Sequence, residues 1–126
     1  MTFPEHLKYT EQHEWIKVEG DTGIVGITDY AQGELGDVVF VELPAVGKSL
    51  KAHETFGTIE AVKAVSDLYC PVAGTVVEVN AELAKTPELV NKDPYNAGWM
   101  IKITIANPDE LNTLLDAAAY RALVGQ

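Results

Sequence analysis

Positive charge is scarce in this sequence: 9 basic side chains face 19 acidic ones over 126 residues, for a formal net charge of -10. Such a surface repels phosphate backbones and anionic headgroups, so neither nucleic acid nor a membrane is expected as a partner. It favours a soluble monomer and steers the chain toward partners with a basic face. Cysteine is nearly absent. With Cys70 alone no internal disulfide can form, nothing calls for an oxidising compartment, and the residue reads as a small buried hydrophobe. No apolar run approaches the length of a bilayer span. The opening MTFPEHLKYTEQHEW has early acids, a proline and no apolar core, unlike a signal or transit peptide, so a cytoplasmic protein, or one in an equivalent reducing matrix, is expected.

Enzyme signatures are missing as well. His13, Glu14 and Trp15 begin like a zinc-protease helix, but no second histidine follows at the required spacing. His6, His13 and His53 have no cysteines or paired carboxylates at ligand spacing and read as surface or edge histidines. There is no phosphate-cradling glycine loop, no nucleophile elbow and no dinucleotide fingerprint. These absences predict no catalytic residue and no metal site.

What is present is a series of short strands punctuated by glycine, proline and asparagine. Extended segments are predicted at His13–Val18, Gly23–Ile27, Asp37–Leu43, Thr55–Glu60, Ala64–Cys70 and Thr75–Val79. Trp99–Ile105 alternates cleanly, with Trp99, Ile101, Ile103 and Ile105 expected on one buried face and Lys102 and Thr104 on the other. Helices are few. Thr28 is placed to cap a short helix ending at Gly36, Thr86 and Pro87 to open a single turn, and Asn107, Pro108 and Glu110 to start a terminal helix. That helix would carry Leu111, Leu114, Leu115 and Ala118 on one stripe. The pattern predicts one domain over 1–126, mainly β: a flattened β-barrel or hybrid sandwich with short helices and a C-terminal helix. Gly47 lies 16 residues before Lys63 and Gly74 lies 11 after it, a layout that two quasi-symmetric β-units about a central hairpin would produce.

The remaining chemical candidate is GTIEAVKAVSDL, residues 57–68, where Lys63 stands between two extended segments with Val62 and Ala64 beside it. An exposed lysine at a hairpin tip offers a flexible stem and an amine that can be acylated. On chemistry alone, an ordinary solvated turn lysine is the better account of the stretch.

The stretch resembles the attachment site of biotinyl and lipoyl carrier domains, in which a modified lysine occupies an exposed hairpin turn. Biotin carriers usually place methionine on both sides of that lysine, whereas Glu60, Ala61, Val62, Lys63 and Ala64 are similar to the pattern of the glycine cleavage H-protein family, which has glutamate three residues earlier. Ala61 departs from the serine common in that family. Residues 7–47, with HEW, GITDYAQ and LGDVVFVELP, resemble the family's amino-terminal half. Pro94, Tyr95, Gly98 and Trp99 resemble its carboxy-terminal signature.

That resemblance implies a carrier without activity of its own, bearing lipoate in amide linkage on Lys63. Its expected partners are a pyridoxal-phosphate glycine decarboxylase (P protein), a tetrahydrofolate aminomethyltransferase (T protein), a dihydrolipoyl dehydrogenase (L protein) and the lipoylating enzymes. The arm would take an aminomethyl group from the first to the second and be reoxidised by the third. Glu60, Gly47 and Gly74 are expected to be read by the modifying enzyme, and Glu14 and Asp67 to line a cleft for the loaded arm. A lipoate relay that donates lipoyl groups to other complexes shares the motif, and a biotin carrier is a more distant alternative.

Overall fold

The computed structural model describes residues 1–126 as two antiparallel sheets with helical trim. One sheet has six strands: β1 (Lys8–Tyr9), β2 (Glu14–Glu19), β3 (Thr22–Ile27), β5 (Ser49–Leu50), β8 (Gly74–Val79) and β9 (Ile101–Ile105), in the order β1-β2-β3-β9-β8-β5. The other has three, β4 (Val38–Glu42), β6 (Thr55–Ala61) and β7 (Val65–Tyr69), in the order β4-β6-β7. The expected strands therefore form, each within a residue or two of its expected bounds, and the result is the sandwich form, since neither sheet closes into a barrel.

Side chains alternating inward from both sheets make the main core, among them Ile16, Val25 and Ile103 from the larger and Val41, Ile59 and Leu68 from the smaller. Cys70 is completely buried in it, its thiol donating to the Val72 carbonyl, and burial raises the thiol pKa to about 12. A thiolate is therefore suppressed at neutral pH.

Two expectations are corrected. Trp99 does not share the isoleucine face: Met100 and Ile101 are both fully buried, so the alternation breaks where the strand begins. The Trp99 ring instead lies beneath the Lys102 ammonium, on the opposite side. The terminal helix is also not continuous. Asn107 does cap, accepting from the Asp109 amide, but it opens a 3-10 helix, Pro108–Thr113, and Glu110 turns away to accept from the Ala73 amide instead of completing a capping box. Leu115 then pairs with Tyr9 as a β-bridge, and Asp116 caps a separate helix over Ala117–Val124. The strand pairing at Leu115 satisfies backbone groups that a continuous helix would have to satisfy internally, so two short helices replace one. Ala117 and Tyr120, rather than the leucine stripe, are the buried residues of that helix, packed with Phe3, Leu7, Tyr9 and Trp15 in a second apolar cluster.

Three further helices complete the chain. Here α1 is Asp29–Leu35, α2 is Glu82–Lys85, α3 is Leu89–Lys92 and the terminal helix is α4. Thr28 caps α1 by accepting from the Ala31 amide, and Gly36 ends it at φ 80°, as the sequence indicates. The turn opened by Thr86 and Pro87 leads into α3, where the Leu89 and Val90 amides donate to their carbonyls.

Candidate functional site

Lys63 lies at the tip of the hairpin between β6 and β7. Register runs Gly57 with Leu68, Thr58 with Asp67, Ile59 with Ser66 and Glu60 with Val65, leaving Val62, Lys63 and Ala64 to cross over. The Ala61 amide closes the crossing by donating to the Ala64 carbonyl at 2.7 Å, and the Val62 amide donates to Asp37 at 3.0 Å, tying the tip to the start of β4. The lysine is exposed and enters neither of the structure's ion pairs, Lys17–Glu19 and Lys102–Glu78.

Its stem rests on the end of α1. A Cβ added at Gly36 would stand 3.2 Å from Lys63 Cε, and the positive φ of Gly36 further disfavours any side chain there. Asn91 holds this platform together. Its Nδ2 donates to Gln32 Oε1 and to the Gly36 carbonyl, while its Oδ1 accepts from the Val38 amide at 2.9 Å. The end of α1, the start of β4 and α3 are thus joined beneath the lysine.

A cleft of about 340 Å³ opens beside the same helix. Ile27, Ile59 and Leu68 form its apolar floor, Tyr30, Ala31, Glu34 and Leu35 of α1 one wall, and Gln12, His13 and Glu14 the opposite wall, with Ser66 and Asp67 at the rim. Glu14 and Asp67, which the sequence pairs only by resemblance, line one cavity although 53 residues separate them. From Lys63 to Asp67 the chain runs four residues, roughly 13 Å at about 3.3 Å per strand residue.

The two carboxyls differ sharply. Asp67 is exposed, whereas Glu14 is only 1% exposed, with Thr10 Oγ1 donating to its Oε1 at 2.8 Å and the Tyr69 amide to its Oε2 at 3.3 Å. Burial raises the Glu14 pKa to about 8, outweighing both hydrogen bonds, which act to lower it. The carboxyl therefore holds its proton at neutral pH while no cation is near it.

His13 is the residue the sequence undervalues. It has a left-handed backbone, φ 71°, which is uncommon for a residue with a side chain, and it sits half-buried in the cleft wall against the Tyr30 ring. The Tyr120 hydroxyl bridges His13 Nδ1 and Thr28 Oγ1, each at 2.8 Å, joining cleft wall, α4 and the cap of α1. Burial lowers the imidazole pKa, favouring the neutral ring. A strand pattern beginning at residue 13 carries no sign of that backbone turn. Gly47 and Gly74 lie elsewhere, where β5 pairs with β8: the Gly47 amide donates to Val76, and a Cβ on Gly74 would fall 2.5 Å from the Thr104 carbonyl oxygen. Close strand approach at Gly74 and a φ of +96° at Gly47 each require glycine for the fold.

A small β sandwich presenting one unpaired lysine at a hairpin tip, above an apolar cleft with a buried carboxyl, defines a carrier domain of the lipoyl type. The family model described as glycine cleavage H-protein matches residues 7–126, and the chain belongs to that family. It is 63% identical over 119 residues to the glycine cleavage system H protein of Symbiobacterium thermophilum, covering 94% of this chain and 93% of that one. Identity to the H protein of Chlorobium chlorochromatii is 62%, with both chains covered completely. The crystal structure of a glycine cleavage system H protein from Mycobacterium marinum superposes with a TM-score of 0.89 at 39% identity, covering 98% of this chain and all of that one.

Proposed function

We propose that the chain is the lipoyl carrier of a glycine cleavage system, acting in the cytoplasm as one domain over residues 1–126, with Lys63 as its attachment residue and no catalytic activity of its own. The observation that carries this reading is the exposed Lys63 amine at a hydrogen-bonded hairpin tip, one end of which leads into the cleft that holds Glu14. The residues fit the group: an exposed amine free to form an amide, and beside it an apolar floor for an acyl chain. When bound, lipoate supplies a strained dithiolane that opens readily to nucleophiles and can be reclosed by oxidation.

The protein's own residues present and protect the arm. Asn91 and Gly36 fix the platform beneath Lys63, and Ile27, Ile59 and Leu68 give the cleft an apolar floor. Glu14 donates its proton to solvent when a cationic amine enters, so the buried carboxylate forms only with its counter-ion present, and exposed Asp67 adds negative potential at the mouth. The partners in this reading are the glycine decarboxylase, the aminomethyltransferase and the dihydrolipoyl dehydrogenase. Reconstitution with those three purified enzymes tests it: glycine-dependent reduction of NAD should require the lipoylated chain and vanish with the unmodified one. Turnover without the chain, or biotin detected by streptavidin blotting of native protein, would overturn it.

Glu60 is exposed, pairs across strands with Phe40 and Val65, and forms no ion pair. We assign it to recognition by the lipoylating enzyme, while Gly47 and Gly74 contribute by holding the scaffold. Glu60→Ala should slow lipoylation roughly tenfold, the effect of losing one charge-assisted hydrogen bond of about 1.5 kcal/mol, with unfolding unchanged. Equal rates with purified ligase would remove the assignment.

A further inference from the structure

Large apolar side chains cluster in the open around Lys63. Val62 is 76% exposed, Val65 67% and Phe40 48%, and Val39, at the register irregularity in β4, is also exposed. Four of the nine exposed large hydrophobics thus lie on this hairpin and the adjacent strand, while the others are spread over the rest of the chain. Strand propensity accounts for Val65 but not for Val62, which occupies a tight crossing where glycine, asparagine, aspartate or serine is usual. Nothing in the fold uses these side chains.

Their arrangement is ordered. Glu60 is the cross-strand partner of both Phe40 and Val65, so the three share the outer face of the smaller sheet, with neighbours about 5 Å apart at Cβ. The next row, Glu42, Thr58 and Asp67, lies on the same face and adds two acids. An apolar patch thus lies on the hairpin that carries the lysine and on the adjacent strand, and an acidic strip runs beside it.

Resting on the reading of Lys63 as the lipoyl site, we propose that Val62, Val65 and Phe40 form an apolar collar on which the lysine-acylating enzyme docks, through an apolar recess bordered by cationic side chains. Geometry selects that partner. Enzymes acting on the distal end of the arm work at the full length of an extended acyl chain from the tip. The acylating enzyme must instead bring its activated acyl carbon into bonding contact with Nζ. There the amine's lone pair forms the amide bond, the bond to the leaving group of an acyl adenylate breaks, adenylate departs with the electron pair, and the amine loses a proton to solvent. To reach Lys63 Nζ this enzyme must cover Val62 and Val65, which flank it, and the acidic strip complements a cationic rim.

The test uses the full-length unlipoylated protein with purified lipoate-protein ligase, lipoate and ATP. Val62→Thr combined with Val65→Thr keeps shape and strand propensity while adding two hydroxyls to the collar. The KM for the carrier should rise about tenfold with kcat within about twofold. The same variant, lipoylated to completion, should be reduced by dihydrolipoyl dehydrogenase and NADH at the wild-type rate, and its thermal unfolding should match wild type. An unchanged KM would overturn the collar, and equal impairment with both enzymes would overturn its assignment to the acylating enzyme. Failure of the wild-type chain to accept lipoate would instead overturn the reading of Lys63 on which the proposal rests.

Discussion

Replacing Lys63 with arginine is expected to abolish lipoylation completely while leaving the fold intact. The guanidinium keeps the positive charge but remains protonated at any accessible pH and has no free nitrogen lone pair to attack an acyl carbon. Lys63 is exposed, forms no ion pair and packs only its stem against Gly36, so the substitution removes no buried contact and should shift unfolding by less than about 0.5 kcal/mol. Lys51 and Lys85 remain available and exposed in that variant. Neither stands at a hairpin tip, and neither should be modified in its place. Lipoate incorporation after co-expression with a ligase measures this. Residual incorporation into Lys63→Arg would show that exposure of an amine, and not the hairpin, determines the site.

The second large effect concerns Glu14 and pH. Its folded pKa, about 8, lies above the ordinary carboxyl value of 4.5, so between these values the folded chain holds a proton that the unfolded chain has released. Stability contributed by this group is full below about pH 4.5, declines by up to about 1.4 kcal/mol per pH unit, and is lost as pH rises through 8. Glu14→Gln does not titrate. The variant should therefore gain on wild type by several kcal/mol between pH 5 and pH 9, in order-of-magnitude terms. His13, whose pKa is lowered, acts in the opposite sense at acid pH but is present in both proteins and cancels from the difference. Denaturant unfolding of both at the two pH values decides the matter. Parallel pH profiles would mean that Glu14 is ionised in the empty cleft and that the cleft imposes no cost on the charge.

That cost bears on carrier behaviour. In the proposed reading, a stray lysine or metal ion would have to meet the cost of ionising buried Glu14 from dilute solution, whereas a tethered arm amine would offset that cost through its high local concentration. Exposed Asp67 cannot make this distinction, because solvent supports its charge whether or not the cleft is filled.

The parts legible in the sequence are those where local chemistry and tertiary demand agree. Thr28 and Gly36 bracket α1 because a cap and a left-handed glycine are local devices, and the strand from Ile101 alternates because one face meets the core. The continuous C-terminal helix was not realised because pairing of Leu115 with Tyr9, residues far apart in sequence, overrides a local helical pattern. Trp99 fails the same way, since Met100 is drawn into the core beside Ile101. In the site, Lys63 is singled out by the resemblance of its neighbours to a family pattern and not by their chemistry, whereas the meeting of Glu14 and Asp67 depends on how two sheets pack, and no spacing encodes it. The backbone of His13 and the bridging hydroxyl of Tyr120, 107 residues away, are still less accessible, because they exist only once α4 has docked.

The central claim, that this fold exists to present Lys63 for lipoate, is tested most directly by peptide-mapping mass spectrometry of the protein isolated from its native source. The account predicts a single lipoyl group, confined to the peptide containing Glu60, Val62 and Lys63. A lipoyl group found on Lys51, Lys85 or any other lysine, or a Lys63 peptide that is unmodified throughout, would contradict it.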